Sequence, residues 1–142
     1  MEFVIREMEE KDLPKVQEVW RAVNIELTYS DKHEELVKMI KHNPGLCLVL
    51  KDTLKKDILG AVLGGFDGRR GWIHHLAIHP SIQGKKYGTL MMDELLRRFK
   101  ERNVAKLKIE IFKSNKKVID FYKKLGWDHR TDLSTMSLTL NE

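Results

Sequence analysis

Residues 76–89, LAIHPSIQGKKYGT, decide the fold of this chain. An apolar segment with strand character stops at Pro80, a connector with two glycines and two lysines follows, and an apolar helical pattern begins near Gly88. A strand, a loop and a helix start in this order direct backbone N–H groups and the positive end of the helix dipole at one point. Phosphate oxygens bind at such a point, although the spacing alone also fits an ordinary surface loop.

The loop matches neither of two common nucleotide-binding patterns. It lacks the Gly-x-x-x-x-Gly-Lys-Ser/Thr spacing of a phosphate loop for ATP, and it lacks the Gly-x-Gly-x-x-Gly spacing of a dinucleotide-binding loop. The sequence therefore does not favour an ATP-dependent or NAD-dependent protein.

The segments on either side of the loop predict a mixed α/β fold. Strands are expected at residues 3–6, 46–51, 58–66 and 72–79, over about seven residues around 106–111, and at 133–140. Helices are expected from Asp12 as N-cap with Pro14 in the first turn, at 32–42 with Asp31 and Glu34 as a capping box, from Gly88 for about four turns, and before Gly126. This order lacks the regular repeat of a doubly wound sheet, so we expect an α/β (α+β) protein, a three-layer α/β sandwich around a mixed, mostly antiparallel sheet.

Length and composition fit one domain over residues 1–142. The apolar stretches 46–50 and 58–66 fall well short of the roughly 20 residues that cross a bilayer, so no membrane association is expected. The N-terminus lacks the pattern of a secretory signal, and Cys47 is the single cysteine, which excludes an intrachain disulfide. A reducing, cytoplasmic location is the natural expectation, and the histidines are not clustered with other ligands as a metal site requires.

Positive charge is concentrated in one third of the chain. Residues 83–125 carry 13 basic and 5 acidic side chains, within a total of 26 against 21. Such a block attracts anions such as phosphates, or it is the solvated face of lysine-rich helices. Nucleic acid is not the expected partner, because the chain has no RNP-like or helix-turn-helix signature.

Four segments together resemble the GCN5-related N-acetyltransferase (GNAT) family. They are residues 76–80, residues 83–88, Ser114-Asn115, and the run Phe-Tyr-Lys-Lys-Leu-Gly-Trp at 121–127. In this family the pattern Arg/Gln-x-x-Gly-x-Gly/Ala cradles the pyrophosphate of acetyl-CoA, and Asn followed by Tyr-x-x-x-Gly-Phe/Trp comes after the next strand. The resemblance extends from about residue 3 to residue 140, and it implies acetyl-CoA as co-substrate.

The resemblance also implies which residues contact the co-substrate. The backbone of Leu76, Ala77 and Ile78 would pair with the pantetheine amides, and the pyrophosphate would lie on Gln83, Gly84, Lys85, Lys86, Tyr87, Gly88 and Thr89. Asn115 would contact the co-substrate, with a helix N-cap as the alternative. Lys86 departs from the glycine usual at its position: a positive φ there would cost conformational energy, whereas its ammonium could contact a phosphate.

Three residues are candidates for the chemistry that the resemblance implies. Tyr122 stands where the family has a tyrosine that protonates the leaving thiolate, with packing in the core as the alternative. Glu110 is the candidate general base, placed by its alternation on one face with Lys108 and Phe112, and an ion pair with a lysine is the alternative. His74 is the rival base, with a structural role as the alternative, and His75 is expected on the opposite face of the strand.

The function implied is transfer of an acetyl group to a primary amine of a small molecule or of a protein or peptide. Trp72, His74, Asp67 and residues 29–33 are candidates for the acceptor cleft, and the hairpin at 64–71 resembles a bacterial subgroup of unassigned substrate. A sensor that binds acetyl-CoA without turnover and a basic nucleic-acid-binding domain are the alternatives. A homodimer is a family expectation.

Overall fold

The structure is a computed structural model that describes residues 1–140. Its strands are β1 (Phe3–Glu7), β2 (Leu48–Asp52), β3 (Asp57–Phe66), β4 (Gly71–Ile78) and β5 (Leu107–Ile109). Its helices are α1 (Leu13–Ala22), α2 (His33–His42), α3 (Tyr87–Glu101) and α4 (Lys116–Lys124). The chain forms two compact units, Met1–Ile109 and a second unit that begins at Glu110.

The five strands form one mixed sheet in the order β1-β2-β3-β4-β5. Strands β1 to β4 are antiparallel to their neighbours, and β5 runs parallel to β4. The pairing of β2 with β3 and of β3 with β4 confirms the predicted antiparallel meander. Asp52 closes its first turn by accepting the backbone N–H groups of Leu54 at 3.0 Å and Lys55 at 3.3 Å. A mixed, mostly antiparallel sheet is therefore confirmed.

Two adjacent glycines of β3 show that helices cover both faces of the sheet. A Cβ on Gly65 would lie 3.0 Å from Met39 of α2, whereas a Cβ on Gly64 would lie 3.0 Å from Leu95 of α3. Successive residues of a strand point to opposite faces, so α2 and α3 lie on opposite sides of the sheet. This arrangement confirms the predicted three layers.

Apolar side chains at helical spacing form the core under α1 and α2. Pro14 lies in the first turn of α1, where its missing N–H costs nothing, and the buried residues that follow recur every three or four positions. The members of this core include Leu13, Val16, Val19, Trp20, Leu36, Val49, Ala61, Leu63 and Ala77. The face under α3 buries Met91, Leu95 and Phe99, so both helix layers are anchored by their apolar stripes.

Two predicted helix caps make different contacts from those expected. Asp12 occupies the N-cap position of α1, but its carboxylate pairs with Arg6 at 2.7 and 3.0 Å and accepts the N–H of Glu9. The capping box of Asp31 with Glu34 is wrong, because α2 begins at His33 and the Asp31 carboxylate accepts the N–H of Thr28 instead. Both carboxylates are buried, and partners distant from the helix satisfy them.

Two predicted strands are shortened or missing. Strand β5 ends at Ile109, where the sequence predicted about seven residues, because β4 pairs with only three of them. Within the described chain, residues 133–140 form no strand, and Met136, Leu138 and Leu140 are at least 85% exposed. Alternation shows only that a segment is compatible with a strand, whereas formation requires a neighbouring edge with which to pair.

Candidate active site

Strand β4 carries an unpaired edge next to the predicted phosphate loop. Strand β5 pairs with residues 71–73, and in the described chain no strand pairs with residues 76–78 on that edge. The N–H of His79 donates to the carbonyl of Leu59 in β3 at 2.8 Å. Backbone groups of successive residues in an antiparallel ladder point alternately toward and away from the neighbouring strand, so those of Ile78 point away from β3. The amide of Gln83 donates to the Ile78 carbonyl at 2.9 Å. This edge has the extended geometry that pairing with an amide chain requires.

The loop after this strand combines two left-handed residues with a helix start. Gly84 has φ +79°, and no atom lies within 4 Å of the position that a Cβ would occupy, so the backbone angle rather than space calls for glycine. Lys86 has φ 67° and ψ 17° and is the N-cap of α3. Helix α3 begins at Tyr87, so the N–H groups of its first turn are directed toward the loop. We call this loop, residues 83–89, the cradle, because its geometry is of the kind in which backbone N–H groups can bind an anion.

Side chains of the cradle have mixed roles. The ring of Tyr87 packs edge-on against Phe3 of β1, with 5.1 Å between ring centroids, so its side chain belongs to the fold. Lys85 and Lys86 are exposed, and their ammonium groups add positive charge at the start of α3. Gly88 and Thr89 lie in the first turn of that helix, where their N–H groups have no acceptor within the helix.

His74 lies on the sheet face that α1 and α2 cover. It is paired with Leu63, a member of the core under these helices, and directly opposed residues of a sheet share a face. The rings of Trp72 and His74 are parallel within 3° with centroids 6.4 Å apart, and both side chains are half-buried. Two of the predicted acceptor-cleft residues therefore form a pair of parallel, stacked rings.

A β-bulge separates His74 from residues 76–78, which the sequence predicts to contact the co-substrate. Between the pairs Leu63–His74 and Ala61–Ala77, strand β4 has two residues opposite one residue of β3. His75, in the bulge, has φ 53°, and its ring packs against Trp20 of α1 with centroids 5.0 Å apart. The prediction that His75 faces the side opposite to His74 is therefore wrong, because the bulge interrupts the alternation.

The remaining acceptor-cleft candidates differ in how they are used. The Asp67 carboxylate accepts the N–H groups of Arg70 and Arg69 at 2.7 and 2.8 Å, which lowers its pKa and closes the turn between β3 and β4. The carboxylate of Asp31, in the 29–33 segment, faces the imidazole of His75 at 3.0 Å. Asp67 thus supports a turn and also accepts a hydrogen bond from the Trp72 side chain, and Asp31 contacts the same strand through His75.

Tyr122 lies in the second unit, on α4. Its side chain is only 4% exposed, and edge-on rings of Phe121 and Trp127 lie with centroids 5.1 and 5.4 Å away. Burial raises the pKa of the Tyr122 phenol above its ordinary value, because the charged phenolate would lose its hydration. The hydroxyl is therefore protonated at neutral pH and able to donate. The core packing weighed from sequence is present as well.

Glu110 and Asn115 belong to the same unit. Glu110 lies just beyond the end of β5 and is exposed, so its predicted place within a strand beside Lys108 is wrong. Asn115 is the N-cap of α4, and its side-chain oxygen accepts the N–H of Val118 at 3.3 Å. The N-cap alternative for Asn115 is confirmed, and Gly126, with φ +95°, follows the end of this helix as predicted.

Part of the basic block is used within the fold. Arg98 donates to Glu94 at 2.8 Å and to the carbonyl of Gly45 at 3.0 Å. Arg97 pairs with the same carboxylate and with Glu101. These contacts neutralise charges in the C-terminal half of α3. At the N-terminus of α3, Lys85 and Lys86 are exposed positive groups.

The sequence of residues 5–127 matches the family described as Acetyltransferase (GNAT) family. The match spans most of the chain, and the chain therefore belongs to this family and is an acetyl-CoA-dependent acetyltransferase. Among the described residues, no helix is long and apolar enough to cross a membrane, and no group of three or more His, Cys, Asp and Glu residues could hold a metal ion.

Three solved structures show the same fold at low sequence identity. PaiA N-acetyltransferase from Thermoplasma acidophilum, in complex with coenzyme A, is 18% identical, with 88% of this chain and 89% of that chain covered and a TM-score of 0.77. Glucosamine-6-phosphate N-acetyltransferase from Arabidopsis thaliana is 21% identical, with 99% of this chain and 100% of that chain covered and a TM-score of 0.71. Ribosomal-protein-S18-alanine N-acetyltransferase from Escherichia coli is 18% identical over 92% and 80%, with a TM-score of 0.78.

Proposed function

We propose that this chain transfers the acetyl group of acetyl-CoA directly to a primary amine, with a small-molecule amine ahead of a protein N-terminus or lysine as acceptor. The observation that carries the proposal is the unpaired edge of β4 followed by the cradle at the start of α3. The edge suits the amides of the pantetheine arm of acetyl-CoA, and the cradle suits the pyrophosphate of the same co-substrate.

In this proposal, different residues bind different parts of the co-substrate. Leu76, Ala77 and Ile78 provide the extended segment, in which the polar groups of Ile78 face away from β3. The loop 83–89 binds the pyrophosphate through backbone N–H groups, and Lys85 and Lys86 add positive charge. Asn115 acts through the helix that it caps, since its side-chain oxygen already accepts a hydrogen bond.

The reaction breaks the thioester C–S bond, forms an amide C–N bond and moves one proton from the amine to the sulfur. The neutral amine attacks the thioester carbonyl, and Glu110 or His74 accepts the proton that its nitrogen then loses, directly or through water; this proton returns to the Tyr122 oxygen through solvent after the thiolate has left. Tyr122 donates its hydroxyl proton to the leaving thiolate, and its raised pKa keeps that proton in place beforehand. His74 is supported as base by its position beside Trp72, and Glu110 by its exposure.

The aromatic surface of Trp72 and His74 supports a small acceptor. A half-buried pair of aromatic rings packs well against the apolar parts of a small amine, and an aromatic face attracts a cation. One solved relative is named for glucosamine 6-phosphate and another for a ribosomal-protein alanine. These two amines are therefore the first acceptors to compare, and the proposal includes a homodimer, to be tested by light scattering.

The test measures binding and turnover separately. Calorimetry with acetyl-CoA should show one site per chain, and CoA release should rise when glucosamine 6-phosphate or an alanine-initiated peptide is added. Tyr122→Phe keeps the buried ring, so its melting temperature and its acetyl-CoA affinity should stay near those of the wild type while kcat falls about a hundredfold. Equal loss of stability and turnover would make Tyr122 a packing residue, and absence of acetyl-CoA binding would refute the proposal.

A further inference from the structure

The β4 bulge is anchored to α1 by a buried tryptophan. His75 lies where two residues of β4 oppose one of β3, so its carbonyl has no ordinary place in the ladder. The indole N–H of Trp20 donates to that carbonyl at 2.8 Å, and the Trp20 side chain is fully buried. The left-handed backbone of His75 is therefore fixed by a contact with a residue 55 positions earlier.

The imidazole of His75 makes the second contact of the bulge. Its Nε2 lies 3.0 Å from Oδ1 of Asp31, while the other carboxylate oxygen accepts the N–H of Thr28 at 3.0 Å and its hydroxyl at 3.3 Å. The backbone carbonyl of Asp31 accepts the side-chain amide of Gln17 at 3.0 Å. Every oxygen of this residue is thus used, and each contact reaches a different part of the first unit.

The ionisation of Asp31 determines which nitrogen of His75 carries a proton. Burial acts to raise the pKa of Asp31, but hydrogen bonds from His75 and Thr28 outweigh it, so the pKa lies below its ordinary value. Asp31 is therefore an acceptor at neutral pH, and the Nε2 that faces it must be the donor. The result is a charge-assisted hydrogen bond between the segment 28–31 and β4.

We propose that His75 is a positioning residue for the acceptor: by donating to Asp31, it holds the segment 28–31 beside His74 and the co-substrate strand. The inference rests on the proposed function, since it assigns this segment to the acceptor side of that site. One side chain thereby joins the acceptor segment to the strand that carries Leu76–Ile78. Loss of the link weakens acceptor binding while acetyl-CoA binding persists.

The test uses His75→Gly, which removes the imidazole and suits the positive φ. Lys56→Gly is the matched control, because Lys56 also has a positive φ (60°) but lies in the exposed turn between β2 and β3. With glucosamine 6-phosphate or the alanine-initiated peptide, whichever is turned over, His75→Gly should raise the acceptor KM about ten- to a hundredfold, the effect of losing a charge-assisted hydrogen bond. Its acetyl-CoA affinity should stay within about twofold.

Two further variants separate positioning from a general loss of structure. His75→Gln restores a donor that can reach the carboxylate and should recover part of the acceptor affinity. His75→Gly combined with Asp31→Asn should cost little more than Asp31→Asn alone, because the Asp31 change already removes the charge-assisted bond to His75. Additive effects, an unchanged acceptor KM, or a parallel loss of acetyl-CoA affinity would overturn the inference.

Hydrogen–deuterium exchange tests the link without any acceptor. The amides of residues 28–32 should exchange faster in His75→Gly than in the wild type and in Lys56→Gly, whereas unchanged exchange would overturn the inference. If acetyl-CoA binds and neither amine is turned over by the wild type, the proposed acceptors fail, and this measurement still decides whether His75 holds the segment.

Discussion

Lys86 offers the sharpest test of how the loop is built. Its φ of 67° and ψ of 17° lie in the left-handed region, which costs a residue with a Cβ about 1–2 kcal/mol. Glycine removes that cost, but its greater conformational freedom in the unfolded chain lowers the free energy of unfolding by about 0.4–1 kcal/mol. Lys86→Gly should therefore stabilise the ligand-free protein by about 1 kcal/mol, which raises the melting temperature by roughly 3–4 °C for a chain of this size.

The neighbouring lysine provides the control. Lys85 is equally exposed, and its φ is not positive, so Lys85→Gly removes a charge without relieving strain. Its melting temperature should fall, since only the freedom of the unfolded chain increases. Calorimetric melts of both variants at the same ionic strength measure the difference. A melting temperature of Lys86→Gly no higher than that of the wild type would refute the argument from backbone strain.

The same two variants measure what the Lys86 ammonium contributes to binding. If this group lies near a phosphate, Lys86→Gly should weaken binding of CoA by up to about 1 kcal/mol, roughly fivefold, at low salt. The difference should shrink as salt is added, because exposed charges are screened. Tighter binding by the variant would show instead that a relaxed backbone matters more than the charge.

Three other predictions concern the first unit. Gly64→Ala should lower the free energy of unfolding by about 1–3 kcal/mol in urea titrations, because its Cβ would lie 2.4 Å from the backbone oxygen of Leu46; a smaller loss would contradict the packing. Cys47 is fully buried, and burial raises its pKa to about 11, so iodoacetamide at pH 8 should label it only after unfolding; rapid labelling of the native protein would refute this. Burial acts to raise the pKa of Asp12, but hydrogen bonds from Arg6 and from a backbone N–H outweigh it, so the pKa lies below its ordinary value. The ionised carboxylate therefore stabilises the fold above about pH 4, and this contribution is lost as the pH falls through the lowered pKa. Asp12→Asn should remove that part of the acid sensitivity in melts between pH 5 and 2, and an unchanged pH profile would contradict the assignment.

Local patterns in the sequence predicted most of the elements. The apolar stripe of α1 and the alternation of β4 up to His74 follow from the spacing of residues along one element, so their period is visible in the sequence alone. The loop before α3 was also predicted locally, because glycines and a helix start lie within seven residues. What these patterns could not give was the partner of each polar side chain, as Asp12 and Asp31 show.

The C-terminal segment shows the limit of alternation. Residues 133–140 carry an alternating pattern, yet they form no strand in the described chain. A strand exists only when its N–H and C=O groups pair with a neighbour, and the pattern of one segment holds no information about that neighbour. The same limit applies to β5, whose length is set by pairing with three residues of β4.

The bulge of β4 could not be predicted, because it changes one residue without changing the composition of the strand. Alternation from Ile73 to His75 places both on one face, but the bulge turns His75 toward α1. The bulge costs free energy because it places His75 in the left-handed region and interrupts the ladder, and local sequence preferences do not favour either feature. Two partners in the first third of the chain offset that cost: a buried indole that needs an acceptor and a buried carboxylate that needs donors. Since Trp20 and Asp31 each form a hydrogen bond with His75, satisfying their polar groups favours the bulge, and under the proposed function the bulge separates His74, on the acceptor side, from Leu76–Ile78, on the co-substrate side.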